Sequence, residues 1–532
     1  MENSAFGTRG IAVAPHSLAA QSALDVLREG GNAIEAMIAA AAAIAVVYPH
    51  MNSIGGDGFW VIHKPGFAPG AIDGSGRSAQ LSSIDWYATQ GVHDSIPFRG
   101  PMAALTVAGT VSGWGAAHKL SKEVGGRMSL KRLLSDAIFF ADQGIPITDS
   151  QARTTQAKLS ELKDQTGFAK TFLIKGQVPT TGSRFKQPTL AHTLSRIAQD
   201  GTDSFYRGSL ADDIAADLQK LGSPLRLSDL QNHQAKLVNP LELQLGKTRL
   251  LNMTPPTQGV VSMMILGIMD ALKGWQDNPE GPDFVHAQVE ATKLAFELRN
   301  QHVTDPEWMS LHASSLLNKS LLKNLAAQID LHHAAPWGQR TDPGDTIWMG
   351  VIDSSGLCVS FIQSIYHEFG SGLVLPQTGI NWQNRGCAFS LDEAHINSLK
   401  PSKKTFHTLN PAIALLADGR SMVYGTMGGE GQPQTQATLF QRIQTFGDQP
   451  QQAIERPRWL LGRTWGQSSE SLKLESRFSQ ATFDALKLRG HDVEWLAPWD
   501  EAVGHAGILL KQTNGLLIGG FDPRSNGGVA AY

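Results

Sequence analysis

The sequence predicts an α+β chain, and three observations carry that prediction. Helical periodicity dominates from Leu130 to Leu221 and again from Phe284 to Leu298. Leu241 to Met253 reads as strand. Two β-rich runs, Ile347 to Ile352 and Leu357 to Ile365, flank the turn Asp353-Ser354-Ser355-Gly356 and so read as a hairpin.

The elements follow in order. Ile11 to Ala14 is a short strand, followed by a helix with Ser17 as N-cap, apolar residues at Ala20, Leu24 and Leu27, and Gly30-Gly31 as its stop. Asn32 with Glu35 three residues on makes a capping box for a second helix, whose Ala-rich stretch Ala36 to Val47 suits close packing on both sides. The glycine cluster Ile54-Gly55-Gly56-Asp57-Gly58-Phe59 contains neither GxGxxG nor GxxxxGK[ST], so close backbone packing explains it better than a phosphate cradle. Phe59 to His63 is strand-like, and His332 to Asp345, rich in His, Pro and Gly, reads as a flexible, exposed loop. Tyr424 to Glu430 closes a strand on Gly428-Gly429, ahead of a helical run from Thr435. Consecutive glycine N–H groups at a helix start form a donor pair suited to an oxyanion.

At 532 residues the chain can bury a large core as one layered domain or as two or three ordinary ones. A net charge of −3, with Lys and Arg spread thinly, gives no electrostatic reason for a nucleic-acid or anionic-membrane partner. Two cysteines, Cys358 and Cys387, are too few for a disulfide scaffold and are expected to be buried small hydrophobes. No Cys/His spacing points to a metal. Ala36 to Val47, the longest apolar stretch, falls short of the roughly 20 residues that span a bilayer. Met1 to Ala14 lacks the pattern of a secretory signal, so a cytoplasmic location is expected.

Thr346 opens the hairpin directly after Asp342-Pro343-Gly344-Asp345. A threonine hydroxyl needs an adjacent base to act as a nucleophile, and the α-amine of the same threonine supplies one if the Asp345–Thr346 bond is cut. That amine titrates near about 7.7–8.0, whereas an amide nitrogen accepts no proton. A β-branched residue opening a strand has an ordinary structural explanation as well.

Thr346, Phe369-Gly370-Ser371-Gly372 and Gly379-Ile380 resemble the start of the small subunit of the γ-glutamyltranspeptidase family, N-terminal-nucleophile hydrolases that mature by self-cleavage before a threonine. Gly31-Asn32-Ala33, Pro49-His50 and Ile54 to Phe59 are similar to the first signature of its large subunit, and the resemblance runs over nearly the whole chain. It implies an αββα four-layer sandwich of two mainly antiparallel sheets, built jointly from a large fragment, 1–345, and a small fragment, 346–532, cut between Asp345 and Thr346. It also leaves room for a homo-oligomer of the processed heterodimer. No cofactor is implied. In the family's terms, Thr346 is the nucleophile, Ser364 a neighbouring hydroxyl, and Gly428 and Gly429 the oxyanion hole. Arg77 takes the place of the arginine that grips a substrate carboxylate, His407 and Thr408 fall where two serines assist that arginine, and Tyr366 falls where an asparagine helps hold the substrate. Pro255 to Gly259 and Glu290 to Arg299 are family landmarks expected to serve the fold.

One departure bears on substrate. In Asn384-Arg385-Gly386-Cys387-Ala388-Phe389-Ser390, γ-glutamyl-specific members carry an acidic residue at the position of Ala388, where it holds the substrate ammonium group. A carboxylate beside the scissile amide is thus still called for, and an ammonium group is not. This resembles the oxamate amidohydrolase branch, which implies conversion of oxamate to oxalate and ammonia in purine and ureide nitrogen breakdown. The alternatives are a glutathione hydrolase or γ-glutamyltransferase, a glutaryl or cephalosporin-type acylase, and an uncleaved homologue that only binds an anion.

Overall fold

A computed structural model describes residues 3–338, 344–463 and 469–532, with the side chain of Asp345 excepted. Asp342 and Pro343, and with them part of the expected exposed loop, lie outside the described residues.

Two seven-stranded antiparallel sheets stack face to face. The first runs, edge to edge, Gly528–Ala531, Gly10–Ala14, Asp345–Asp353, Cys358–Tyr366, Asp57–His63, Gly70–Gly74, Lys236–Val238. The second runs Ala5–Gly7, Leu517–Phe521, Ala506–Lys511, Ser421–Thr426, Ala412–Leu415, Thr248–Asn252, Leu241–Leu245. Strands from both sides of the 345/346 junction are interleaved in each sheet, so neither part of the chain completes a sheet alone. Every pairing within the two sheets is antiparallel.

Strand alternation sorts the core into layers. On the strand Asp345–Asp353, Ile347, Met349 and Val351 join the apolar cluster under the helices of the first sheet. Trp348 and Ile352 instead face the second sheet, among Val423, Leu509 and Ile413. The outer face of the second sheet is covered by helices that include Gly259–Ala271 and Gln432–Gln444. The expected αββα sandwich is therefore present.

Trp348 keys the two sheets together. Its indole N–H donates to Ser360 Oγ at 3.0 Å, and its ring fills a slot where side chains at Gly425 and Gly507 have no room. A methyl group on Gly425 would lie 2.3 Å from the indole nitrogen, and one on Gly507 2.4 Å from the ring. Trp348 stands two residues after Thr346, and Gly425 three before Gly428, so this contact sets the height of one loop over the other.

Local expectations hold with small shifts. The capping box of Asn32 and Glu35 starts the helix Ala33–Val47, all of whose residues are buried. The preceding helix, Ser17–Arg28, is capped one residue earlier than expected, by His16, whose Nδ1 accepts from Leu18 N at 3.2 Å. The imidazole offers the acceptor that a serine cap would supply. The glycine cluster is tight packing: a methyl group on Gly56 would sit 2.2 Å from Ser364 O. The helix after the glycine pair begins at Gln432, following a 3-10 turn over Gly429–Gly431, earlier than the expected Thr435. Cys358 is buried, its thiol pushed up to about 12 mainly by burial. Cys387 is only half-buried, in the second half of a turn, Arg385–Ala388, whose first two residues are buried.

Candidate active site

Thr346 sits at an irregularity in the pairing of the two central strands, where the register shifts between Asp345 and Ile347. It is buried, and its hydroxyl donates to Ser364 Oγ at 3.2 Å. Ser364 Oγ also accepts the Tyr366 N–H at 2.8 Å. Tyr366 takes φ = 82°, a left-handed conformation uncommon outside glycine, and strain of this kind tends to gather at functional sites.

Gly428 (φ 116°) and Gly429 (φ 51°) follow the end of the second sheet's strand Ser421–Thr426, both in left-handed backbone that a side chain would strain. Gly429 lies against the chain just before the expected cut, since a methyl group on it would be 2.9 Å from Gly344 N and 3.0 Å from Gly344 O. A methyl group on Gly344 would in turn touch the Tyr366 ring at 3.0 Å. The junction Gly344-Asp345-Thr346 thus lies between the hydroxyl pair and the glycine pair. A cavity of about 200 Å³ opens beside it, with Tyr366, Ala388, Thr408, Phe406 and Glu430 in its wall.

The Gly428-Gly429 segment is braced from behind. Gln258 Nε2 donates to Gly429 O at 2.9 Å and to Thr408 O at 2.7 Å. Its Oε1 accepts from Arg299 Nη1 at 3.2 Å, and the same Nη1 lies 2.7 Å from Glu430 Oε2. Both Gln258 and Arg299 belong to stretches that the sequence marks as fold landmarks, and the structure gives them a share in the site. The i+4 patterns around them report only a helix, so their partners have no local signature.

Two expected binding residues take other places. Arg77 bonds Asp305 at 3.2 Å, Glu307, and Ser402 O at 2.8 Å. It lines a separate cavity of about 590 Å³, whose wall includes neither Thr346, Tyr366 nor Thr408. Its fork is occupied by protein carboxylates, so the structure does not gather it with Thr346. His407 is buried beneath Thr408, with Nε2 3.0 Å from Asp57 Oδ2 and its ring edge-on to Phe59. It supports the wall rather than forming it. Burial, with Arg385 and Lys404 adding, holds this imidazole well below its usual range, and so neutral.

Asp57 and Arg385 are the residues that sequence reading passed over. Asp57 Oδ1 accepts from Gly76 N and Gly109 N, both at 3.1 Å, and from Gln383 Nε2 at 3.3 Å. Burial nonetheless pushes its carboxyl up to about 7, against the pull of Arg385 and these donors. Arg385 is buried, with its guanidinium carbon 3.8 Å from the centroid of the Tyr366 ring. Burial draws it down to about 10, which leaves it a cation at neutral pH. A lone arginine amid small and apolar neighbours, Gly386 to Phe389, is the signal that could have drawn attention to it.

Among the described residues, one group brings metal-ligating atoms together: His286, Glu290 and His491. Glu290 is already paired with Lys293 at 2.7 Å and the two imidazoles are hydrogen-bonded at 2.7 Å, so the cluster satisfies itself. No helix among the described residues is long and apolar enough to cross a membrane.

Comparison with known proteins agrees with this geometry. The family model described as Gamma-glutamyltranspeptidase matches residues 19–532. An "Oxamate amidohydrolase proenzyme" of Klebsiella pneumoniae subsp. pneumoniae is 58% identical over 533 residues, covering all of both chains. A "Glutathione hydrolase-like YwrD proenzyme" of Bacillus subtilis is 40% identical over 99% of each chain. Among solved structures, the cephalosporin acylase from Bacillus halodurans superposes with a TM-score of 0.91 at 33% identity, covering 100% of this chain and 97% of that one. With the sandwich and the threonine at the head of its central strand, these matches show that the chain belongs to the γ-glutamyltranspeptidase family and is an amidohydrolase of the self-processing, N-terminal-nucleophile kind.

Proposed function

We propose that the protein cuts itself between Asp345 and Thr346 and then hydrolyses a small carboxylate-bearing amide, oxamate, to oxalate and ammonia, within purine and ureide nitrogen breakdown. The observation that carries this reading is the placement of the junction, with Thr346 bonded to Ser364 on one side and Gly344 packed on Gly429 on the other. The 58% identical relative named for oxamate supports the choice of substrate, and so does Ala388: the carboxylate that does stand in the cavity wall, Glu430, is paired with Arg299 rather than left to hold an ammonium group.

In the reaction, Thr346 Oγ attacks the amide carbonyl while the freed Thr346 amine takes the hydroxyl proton. The Gly428 and Gly429 N–H groups receive the developing oxyanion. The amine returns the proton to the departing ammonia, leaving an ester on Thr346. Water, activated by the same amine, then releases the acid and restores the hydroxyl. Self-cleavage uses the same nucleophile and donors, with the Asp345 carbonyl in place of the substrate.

The test has two arms. Purified protein should separate into fragments 1–345 and 346–532, the smaller with Thr346 at its N-terminus, whereas Thr346→Ala should stay one chain. The mature protein should release ammonia from oxamate far faster than it turns over γ-glutamyl or glutaryl anilides. An intact, active 532-residue chain would remove the mechanism. Preference for a γ-glutamyl or glutaryl amide would remove the substrate.

A further inference from the structure

Arg385 is a buried cation whose Nε, Nη1 and Nη2 make no hydrogen bond among the described residues. Guanidinium carries five donors in a rigid fork, and stripping them of water without replacement is costly. The Tyr366 ring beneath it offsets part of that cost through its π face and offers no acceptor in the plane of the fork. Asp57 is close enough to shift the titration of Arg385. Its oxygens, however, are occupied by Gly76, Gly109, Gln383 and His407.

The position of this fork is as telling as its solitude. Asn384, the residue before Arg385, donates its N–H to Ile365 O at 3.2 Å, which ties the turn to the strand bearing Ser364 and Tyr366. Tyr366 lies in register opposite Asp345. The Tyr366 ring therefore touches both the guanidinium and, at Gly344, the chain just before the carbonyl that Thr346 would attack. When a substrate carbonyl replaces that of Asp345, whatever is attached to its carbon takes the place of the Asp345 Cα, on the Tyr366 side.

We propose that Arg385, and not Arg77, receives the substrate carboxylate, and that it restricts the site to amides whose acyl group bears a carboxylate. This rests on the proposed amide hydrolysis and names the residue that selects its substrate. A bidentate carboxylate would satisfy two of the fork's five donors. Ala388 on the same turn adds no negative charge to compete with it.

The experiment uses mature wild type, Arg385→Lys and Arg385→Met. Calorimetric titration with oxalate reads the anion site directly, and turnover of oxamate against its neutral diamide, oxamide, reads its use. Oxalate should bind wild type and bind Arg385→Met at least tenfold more weakly. The preference for oxamate over oxamide, as a ratio of kcat/KM, should fall about ten- to a hundredfold. Arg385→Lys, which keeps the charge and loses the fork, should fall between, and it decides the matter if Arg385→Met does not fold. A purely structural arginine would lower both substrates together and leave the ratio unmoved, which overturns the proposal. So would oxalate binding unchanged in the variants, or none in wild type. If wild type binds oxalate through Arg385 yet hydrolyses a different amide, only the choice of oxamate falls.

Discussion

Thr346 hands its hydroxyl hydrogen to Ser364 Oγ at 3.2 Å, and that oxygen also accepts the N–H of the strained residue Tyr366 at 2.8 Å. One serine thus orients the nucleophile and stabilises the backbone turn beside it. Ser364→Ala removes a neutral hydrogen bond, worth about 1 kcal/mol, and strands a buried N–H. Both the appearance of the 346–532 fragment and kcat should slow by about tenfold or more. Maturation and turnover at wild-type rates would show that Ser364 is only packing.

Substitutions of Gly428 and Gly429 should fail differently. A methyl group on Gly428 meets nothing closer than Gly504 Cα at 3.5 Å, so Gly428→Ala contributes backbone strain alone. On Gly429 the methyl group also strikes Gly344 in the uncut chain. Gly429→Ala should therefore accumulate more uncleaved precursor than Gly428→Ala in a time course on denaturing gels. Equal accumulation would mean that the Gly344 contact does not govern cleavage.

The brace behind the segment separates stability from rate. Arg299 and Glu430 are both buried, so Arg299→Met leaves a carboxylate without its cation and should cost about 3–5 kcal/mol of stability. Gln258→Ala leaves that pair intact and releases the Gly429 and Thr408 carbonyls. Denaturant midpoints and kcat, measured together, should show a large stability loss in the first variant and mainly a loss of kcat in the second.

Acid should weaken the fold through Asp522. Burial alone would raise its carboxyl, but Arg458, Arg524 and the Ala506 N–H outweigh burial and bring it down from 3.8 to about 2. A folded-state value below the unfolded one gives stability that is fully present above pH 3.8 and lost as pH falls from 3.8 towards 2. At about 1.4 kcal/mol per unit, the contribution is roughly 2 kcal/mol. Urea midpoints between pH 4.5 and 2.5 should fall in wild type, and with a shallower slope in Asp522→Asn, from a lower starting stability because Arg458 and Arg524 lose their partner.

The sequence by itself determined the local pieces: the capping box at Asn32 and Glu35, the hairpin that Thr346 opens, and the Gly428-Gly429 pair at the end of a strand. Each depends on residues a few positions apart, where side-chain period, cap chemistry and φ > 0 leave a written pattern. The tertiary structure alone decided which arginine is paired with protein carboxylates. Arg77 and Arg385 both stand among small residues in the chain. Arg77 is paired with Asp305 and Glu307, 228 and 230 residues further along, while Asp57, whose charge acts on Arg385, bonds Gly76, Gly109, Gln383 and His407 instead. A charge is spent or left available according to which groups the folded chain brings within hydrogen-bonding reach, and that distance is set by the stacking of the two sheets rather than by separation along the chain.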